Sequence, residues 1–443
     1  MIPNTQKIGY FYIKYGELKE LPLNVRDFCT SISDEEYDEE LRTVIPAWFE
    51  SKENYDKLIH KEYQNIMPMT AEVIPSLTCP YRCEQCSYRP QKEQLGLWNH
   101  QTSKNKHTEM TKETMDIVIN RLIQAGTKYI VFTGGGEPLC NAEVTLHGMN
   151  LAQKNDMCIC LYTNGFMINS SIASELMTIN PYACRISIYG FDEIGYSKYT
   201  NTEKCGYEKV FKNIRTLVDK HEELNSKTAI SLSFLLHPQM FEHIEDIESF
   251  NILDMLIKHL GSDYLKRIST VRFTPAIDYY GGEQTNQQFF GKIFEQVEKS
   301  RQKGLTEYGV QLKPYYHRIE DLYSKKPYSK CYACGLYAEI GPDGNMYQCC
   351  ERLLMEEYSI GNLKRNSIKD IYSSQNRANV LRNVNNKILD CPPVCKPHEA
   401  NKQFSEVFEG AEKSIGLYEL WFDLLKVIAR DNGVFGEYNP FES

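Results

Sequence analysis

Residues 71–86 read Ala71-Glu-Val-Ile-Pro-Ser-Leu-Thr78 and then Cys79-Pro-Tyr-Arg-Cys83-Glu-Gln-Cys86. The first part predicts a short strand, and that strand delivers three thiols onto one loop. Soft sulfur ligands crowded this closely suit zinc or an iron–sulfur cluster. A closed structural zinc site wants four ligands, and the next histidine, His100, lies fourteen residues past Cys86 in a polar stretch. Three ligands leave one coordination position open, which is a catalytic feature. The competing readings are a zinc knuckle or three unrelated core thiols.

Working outward, a polar stretch without a clear period (residues 87–109) predicts a long loop. Thr111 then suits a helix N-cap, and Met115, Val118, Ile119, Leu122 and Ile123 recur at helical spacing before Gly126. Tyr129-Ile-Val-Phe132 predicts a strand and runs directly into Thr133-Gly-Gly-Gly-Glu-Pro138. Further strands are expected over 158–162, ending in Thr163-Asn-Gly165, and over 183–189, 229–236 and 268–274. Helices are expected over 209–219 and 252–259. This strand–helix alternation over residues 71–310 predicts the α/β class. The expected architecture is a parallel sheet curved into a partial (β/α)6 TIM-like barrel, with functional groups at the carboxyl ends of its strands.

The chain has 443 residues, too many for one small core, with 42% hydrophobic and 25% charged residues. Its formal charge of −9 argues against nucleic acid or an anionic membrane as the main partner. No apolar run is long enough to span a bilayer, and the amino terminus lacks the pattern of a signal peptide. A cytoplasmic location is therefore expected, where fifteen cysteines are free thiols, catalytic groups or metal ligands rather than disulfides. Four segments are expected: an extension over 1–70 without a readable motif, the barrel over 71–310, a small cysteine-rich and turn-rich domain over 325–400 that is short of long helices, and a helical tail over 401–443.

The triplet with three and two residues between its cysteines, placed after a first strand, resembles the signature of the radical S-adenosylmethionine superfamily. The resemblance implies that Cys79, Cys83 and Cys86 hold a [4Fe-4S] cluster whose open iron binds S-adenosyl-L-methionine. Reductive cleavage would give a 5′-deoxyadenosyl radical that abstracts hydrogen from a substrate. In the family the residue before the third cysteine is often aromatic and packs near the adenine; here it is Gln85. The resemblance further implies that Gly134, Gly135, Gly136 and Glu137 bind the methionyl amino group through backbone carbonyls and an acidic side chain. Asn164 and Ser187 stand where ribose or carboxylate contacts are expected. Thr163, Arg185, Ser233 and Arg272 are further strand candidates, each read more readily as an ordinary barrel polar group or a strand-end turn.

A second cysteine group comprises Cys331, Cys334, Cys349, Cys350, Cys391 and Cys395, with a hairpin expected over 338–349 around Asp343-Gly344. Cys334, Gly344 and Cys349 resemble the auxiliary-cluster domain of the SPASM and Twitch subgroups. A middle cysteine pair is missing between Cys350 and Cys391, which points to one auxiliary [4Fe-4S] cluster. The implied ligands are Cys331, Cys334, Cys349 and Cys395, with Cys391 the chief rival; a structural zinc site is the alternative. The remaining cysteines (Cys29, Cys140, Cys158, Cys160, Cys184 and Cys205) read as small buried hydrophobes. Cys140 and Cys205 are noted because some family members use a cysteine as a hydrogen-atom donor. The resemblance favours modification of a ribosomally made peptide over a sugar, an aminoglycoside or another small molecule, and a non-catalytic iron–sulfur sensor comes last. An electron donor such as flavodoxin or ferredoxin is the expected partner. Residues 1–70 show no pattern for the leader-binding module of many peptide maturases, which leaves either a separate leader-peptide-binding protein or a small substrate.

Overall fold

The computed structural model describes residues 66–89 (except 84), 108–202, 206–241, 250–277 and 287–402 (except 399 and 400), with a few isolated positions besides. The expected extension before residue 66, most of the loop over 87–109 and nearly all of the helical tail lie outside the described residues, as do Cys29 and Cys205.

Strand β1 (Thr70–Val73) is followed by α1 (Lys112–Gln124), β2 (Tyr129–Phe132), α2 (Ala142–Gln153), β3 (Cys158–Thr163), α3 (Ser170–Ile179) and β4 (Ala183–Ile188). Next come α4 (Glu193–Thr200), α5 (Gly206–Glu223), β5 (Ala229–Leu236), α6 (Ile252–Leu260), α7 (Ser262–Leu265), β6 (Thr270–Pro275), α8 (Gln287–Tyr308), β7 (Gln311–Pro314) and α9 (Tyr316–Tyr323). The carboxy-terminal part holds α10 (Ala333–Leu336), β8 (Tyr337–Ile340), β9 (Asn345–Tyr347), β10 (Ser359–Asn362), α11 (Ile368–Tyr372) and α12 (Gln375–Asn386).

Local chemistry accounts for these boundaries. The Thr111 side chain accepts the Thr114 N–H at the start of α1, and Asn169 and Asp192 cap α3 and α4 in the same way. Apolar positions on α1 (Met115, Val118, Ile119 and Leu122) and α5 (Val210, Phe211, Ile214, Leu217 and Val218) face the sheet and are buried. The ten strands form one sheet in the order β10-β9-β8-β1-β2-β3-β4-β5-β6-β7. Every pairing from β8 through β1 to β7 is parallel. The fold is thus the expected α/β partial barrel, its six expected strands being β1–β6. β7 and β8 widen it on either side. The hairpin over 338–349 forms by antiparallel pairing of β8 with β9, with Gly344 at φ +84° in its turn.

The carboxy-terminal domain continues the barrel's own sheet. β8 pairs with β1 in register Glu72↔Glu339, which sets two buried carboxylates side by side. Lys396 compensates them: its Nζ lies 2.9 Å from Glu72 Oε2, and Tyr337 donates its hydroxyl to Glu72 Oε1 at 3.0 Å. Burial opposes the Lys396 ammonium, but Glu72 and its neighbours hold the group well above the usual lysine range. Burial, with Glu72 beside it, pushes Glu339 well above the carboxylate range. The expectation that no long helix precedes residue 401 is corrected by the twelve-residue α12. Its sequence, QNRANVLRNVNN, is polar apart from a narrow buried stripe of Val380, Leu381 and Val384, so periodicity conceals it.

Replacing Lys396 with Met should leave Glu72 buried beside Glu339 without its cation. We expect a loss of about 2–3 kcal/mol, at or below the lower end for a broken buried pair because the lysine is a third exposed. Denaturant unfolding of the parent and variant checks this.

Candidate active site

The triplet occupies a loop braced from several sides. Tyr81 is buried, and its hydroxyl meets that of Tyr196 at 2.6 Å. Its ring makes edge-on contacts with Phe166, Tyr189 and Tyr196. The Arg82 N–H donates to Thr200 O, and the Cys86 N–H to Cys83 O. The Tyr81 N–H points at Cys79 Sγ at 3.4 Å, and Asn164 Nδ2 reaches the same sulfur at 3.7 Å. Asn164 stands at the end of β3, so it ties the first cysteine to the neighbouring strand.

The glycine strap after β2 runs against the chain leaving β1. The Gly136 N–H donates to Ser76 O at 3.1 Å and the Glu137 N–H to Thr78 O at 2.7 Å. A Cβ on Gly136 would lie 2.3 Å from Thr78 O and 2.4 Å from Leu77 C, so only glycine allows this approach. Gly135 faces Leu353 of the carboxy-terminal domain and Leu77 of the chain leaving β1, and an added Cβ would strike their side chains at 2.6 and 2.8 Å. Glu137 is buried. Its Oε1 accepts from the Leu139 N–H at 3.0 Å and the Thr163 hydroxyl at 2.6 Å, and its Oε2 accepts from the Asn164 N–H at 2.7 Å. Burial pushes the carboxyl up to about 7 against the pull of these three donors.

A cavity of about 250 Å3 opens between triplet and strap. Of the expected residues, Cys79, Cys83, Cys86, Gly134, Gly135, Gly136, Glu137, Thr163, Asn164 and Ser187 all line it. Arg185, Ser233 and Arg272 do not appear in its wall. Arg185 stacks on Tyr162, 3.4 Å from the ring centroid, while Ser233 and Arg272 are buried on β5 and β6. The cavity also takes in Tyr81, Tyr88, Tyr162, Tyr189, Tyr199 and Arg318, which sequence reasoning missed. Tyr81 and Tyr88 sit inside or beside the cysteine loop, so proximity was an available signal for them. Arg318 on α9 comes from far along the chain and offered none.

A second void of about 30 Å3 is lined by Cys331, Cys334, Cys349, Cys391 and Cys395, and by Cys350, which the expected ligand set omits. The hairpin turns Cys349 back towards Cys334. Asn401 Nδ2 donates to Cys331 Sγ at 3.4 Å, and Cys334 Sγ donates to Cys331 O at 3.2 Å. Hydrogen bonding from Cys334 lowers the Cys331 thiol, whereas burial raises Cys395 and lifts Cys391 to about 11. Among the described residues, no three His, Cys, Asp or Glu side chains converge closely enough to hold a single metal ion. The thiols surround voids, and such a donor set fits a thiolate-ligated iron–sulfur cluster at each. Among the described residues, no helix is long and apolar enough to cross a membrane.

Residues 73–250 match the family model described as the Radical SAM superfamily, and residues 324–397 match one described as an iron–sulfur cluster-binding domain, SPASM. No curated protein matches the chain. Among solved structures, Streptococcus suis SuiB bound to S-adenosylmethionine is similar at 14% identity, with 89% of this chain and 88% of that chain covered and a TM-score of 0.52. SuiB bound to its precursor peptide SuiA gives the same identity and TM-score, over 88% of this chain and 83% of that one. At this identity the likeness shows the fold. The two matched domains imply a [4Fe-4S] cluster, S-adenosyl-L-methionine and an auxiliary cluster as cofactors.

A carboxyl held near 7 in the folded state and near 4.3 in the unfolded chain stabilises the fold only in its protonated form. That contribution is complete below the unfolded value and is lost as pH rises through about 7. Cluster-free parent protein should therefore lose, between pH 4 and 8, on the order of 3 kcal/mol that a Glu137→Gln variant does not lose. Melting temperatures across that range check the narrowing difference.

Proposed function

The chain is a member of the radical S-adenosylmethionine superfamily carrying a SPASM-type iron–sulfur domain, and on that premise we propose that it abstracts hydrogen from a ribosomally made peptide. The observation that carries the reading is the single cavity into which the cysteine triplet, the glycine strap, Asn164 and Ser187 all open. Cys79, Cys83 and Cys86 would hold the cluster of the first site. Bound there with S-adenosylmethionine, that cluster supplies the electron for reductive cleavage and so the initiating radical.

The chain's own residues then have distinct tasks. The strap offers bare backbone to the methionyl end of the cofactor. Glu137 fixes the strap to Thr163 and Asn164 while its Oε2 keeps lone-pair capacity for an ammonium group. Asn164 and Ser187 are assigned to the cofactor's polar groups. The tyrosines of the wall exclude water, which protects a reactive intermediate from side reactions. Cys331, Cys334, Cys349 and Cys395 are assigned to the auxiliary cluster, with Cys391 as the alternative fourth ligand. A peptide substrate is supported by a relative of the same fold whose structure contains a precursor peptide. An electron donor of the flavodoxin or ferredoxin kind and a cytoplasmic setting belong to the same reading.

Anaerobically reconstituted protein should contain about eight iron atoms per chain and form 5′-deoxyadenosine from S-adenosylmethionine when given a reductant. Cys83→Ala should abolish formation of the nucleoside, and undiminished formation would sink the assignment. Mass spectrometry of a short peptide encoded beside the gene, incubated with the loaded enzyme, tests the substrate class. An unchanged peptide together with a modified sugar from a neighbouring pathway would favour the small-molecule alternative.

A further inference from the structure

One side chain joins the two cysteine sites. Tyr88 follows Cys86 by two residues, is buried, and lines the first cavity. Its hydroxyl lies 3.1 Å from the carbonyl oxygen of Cys350, the residue after Cys349, and 3.2 Å from Glu339 Oε1. Lys396, the residue after Cys395, brings its Nζ to 3.4 Å from the same hydroxyl. The Tyr88 ring belongs to a small apolar cluster with Ile74, Leu77, Tyr347 and Leu353, and Cys86 packs against that cluster. The loop of the first site and the chain of the second therefore meet through a buried contact.

We infer that Tyr88 is the electronic bridge between the two cysteine sites, carrying single electrons between the clusters held there. The inference rests on the cluster assignments proposed above. Electron tunnelling decays less steeply along covalent and hydrogen bonds than across a gap. From Cys86 the path runs through Ser87 and Tyr88, crosses one hydrogen bond to the Cys350 carbonyl and reaches Cys349 through the adjoining peptide. In one transfer the cluster at one site loses an electron and the cluster at the other gains it. No bond is made or broken, and no proton leaves.

The surroundings keep the bridge intact. Tyr88 is almost wholly buried, and Cys350, Glu339 and Lys396 enclose its hydroxyl. Tyr88 has one proton to give and two acceptors in reach. The Cys350 carbonyl is the nearer of the two, at 3.1 Å against 3.2 Å to Glu339 Oε1, and it accepts the Tyr88 proton along the bridge.

The test uses full-length protein with both clusters loaded and S-adenosylhomocysteine present, which marks the EPR signal of the first site without being cleaved. A laser-flash photoreductant delivers less than one electron per molecule, and freeze-quench EPR follows its redistribution between sites. The parent should show a redistribution phase whose rate does not depend on protein concentration. Tyr88→Phe should slow that phase at least tenfold while iron content and both midpoint potentials stay in place, and Glu339→Gln should leave it unchanged. Equal rates in the parent and Tyr88→Phe would overturn the bridge, as would equal slowing in Glu339→Gln. A parent without any such phase overturns it with no variant needed. Protein holding only one cluster removes the underlying site assignment, and the bridge with it.

Discussion

The structure depends on a backbone that carries no side chain lying flat against the start of the cysteine loop. The strap of Gly134–Gly136 takes the place of a side-chain layer there: the Gly136 and Glu137 amides pair with the carbonyls of Ser76 and Thr78, and a single Cβ at Gly136 would overlap that chain. This contact fixes the spacing between the ends of β1 and β2. Glu137 extends the constraint to β3 by gathering donors from Leu139, Thr163 and Asn164. Asn164 then reaches Cys79. Three strand ends are thus bound to one another before any cofactor is considered, and the cavity is what remains between them. A site whose supporting shell is locked in this way needs little reorganisation when it is loaded.

The same sheet carries the second site. Because β8 adds to β1 in parallel, the hairpin of β8 and β9 brings Cys349 and Cys350 next to the loop that follows Cys86. Among the described residues, the two domains are joined at this seam by one continuous sheet. Leu353 closes over Gly135 from the carboxy-terminal side, so the strap is covered by one domain while it supports the other.

How much of this was legible in the sequence follows from how local each feature is. Cys79, Cys83 and Cys86 are read together because eight residues contain them all. The Asp343-Gly344 turn announces itself because its backbone needs a residue that tolerates positive φ. The strands β2 to β6 carry apolar runs long enough to recognise. β7, with the sequence QLKP, is too short and too polar. Two of the three partners of Glu137 lie 26 and 27 residues away, and Tyr88 meets Cys350 across 262. Such contacts depend on strand register, and no local pattern encodes that. Cys350 was passed over for a related reason: adjacency to Cys349 says nothing about which way either thiol faces.

The buried charges at the domain seam call for an explanation that stability does not supply. Glu72, Glu339 and Glu351 are almost wholly withdrawn from water around one lysine, and burial keeps Glu339 and Glu351 above the carboxylate range. Replacing such a group with well-packed apolar residues is commonly neutral or stabilising, so its energetic return is poor. Its members touch other things. Lys396 follows Cys395, its backbone N–H donates to Glu351, and its ammonium reaches both Glu72 and Tyr88. Arg318, in the wall of the first cavity, is close enough to lower the Glu351 carboxyl, which lines the second void. Hydrogen bonds of fixed geometry hold a register that apolar packing would leave free to slide. The seam therefore trades stability for the placement of the residues that flank both cysteine groups.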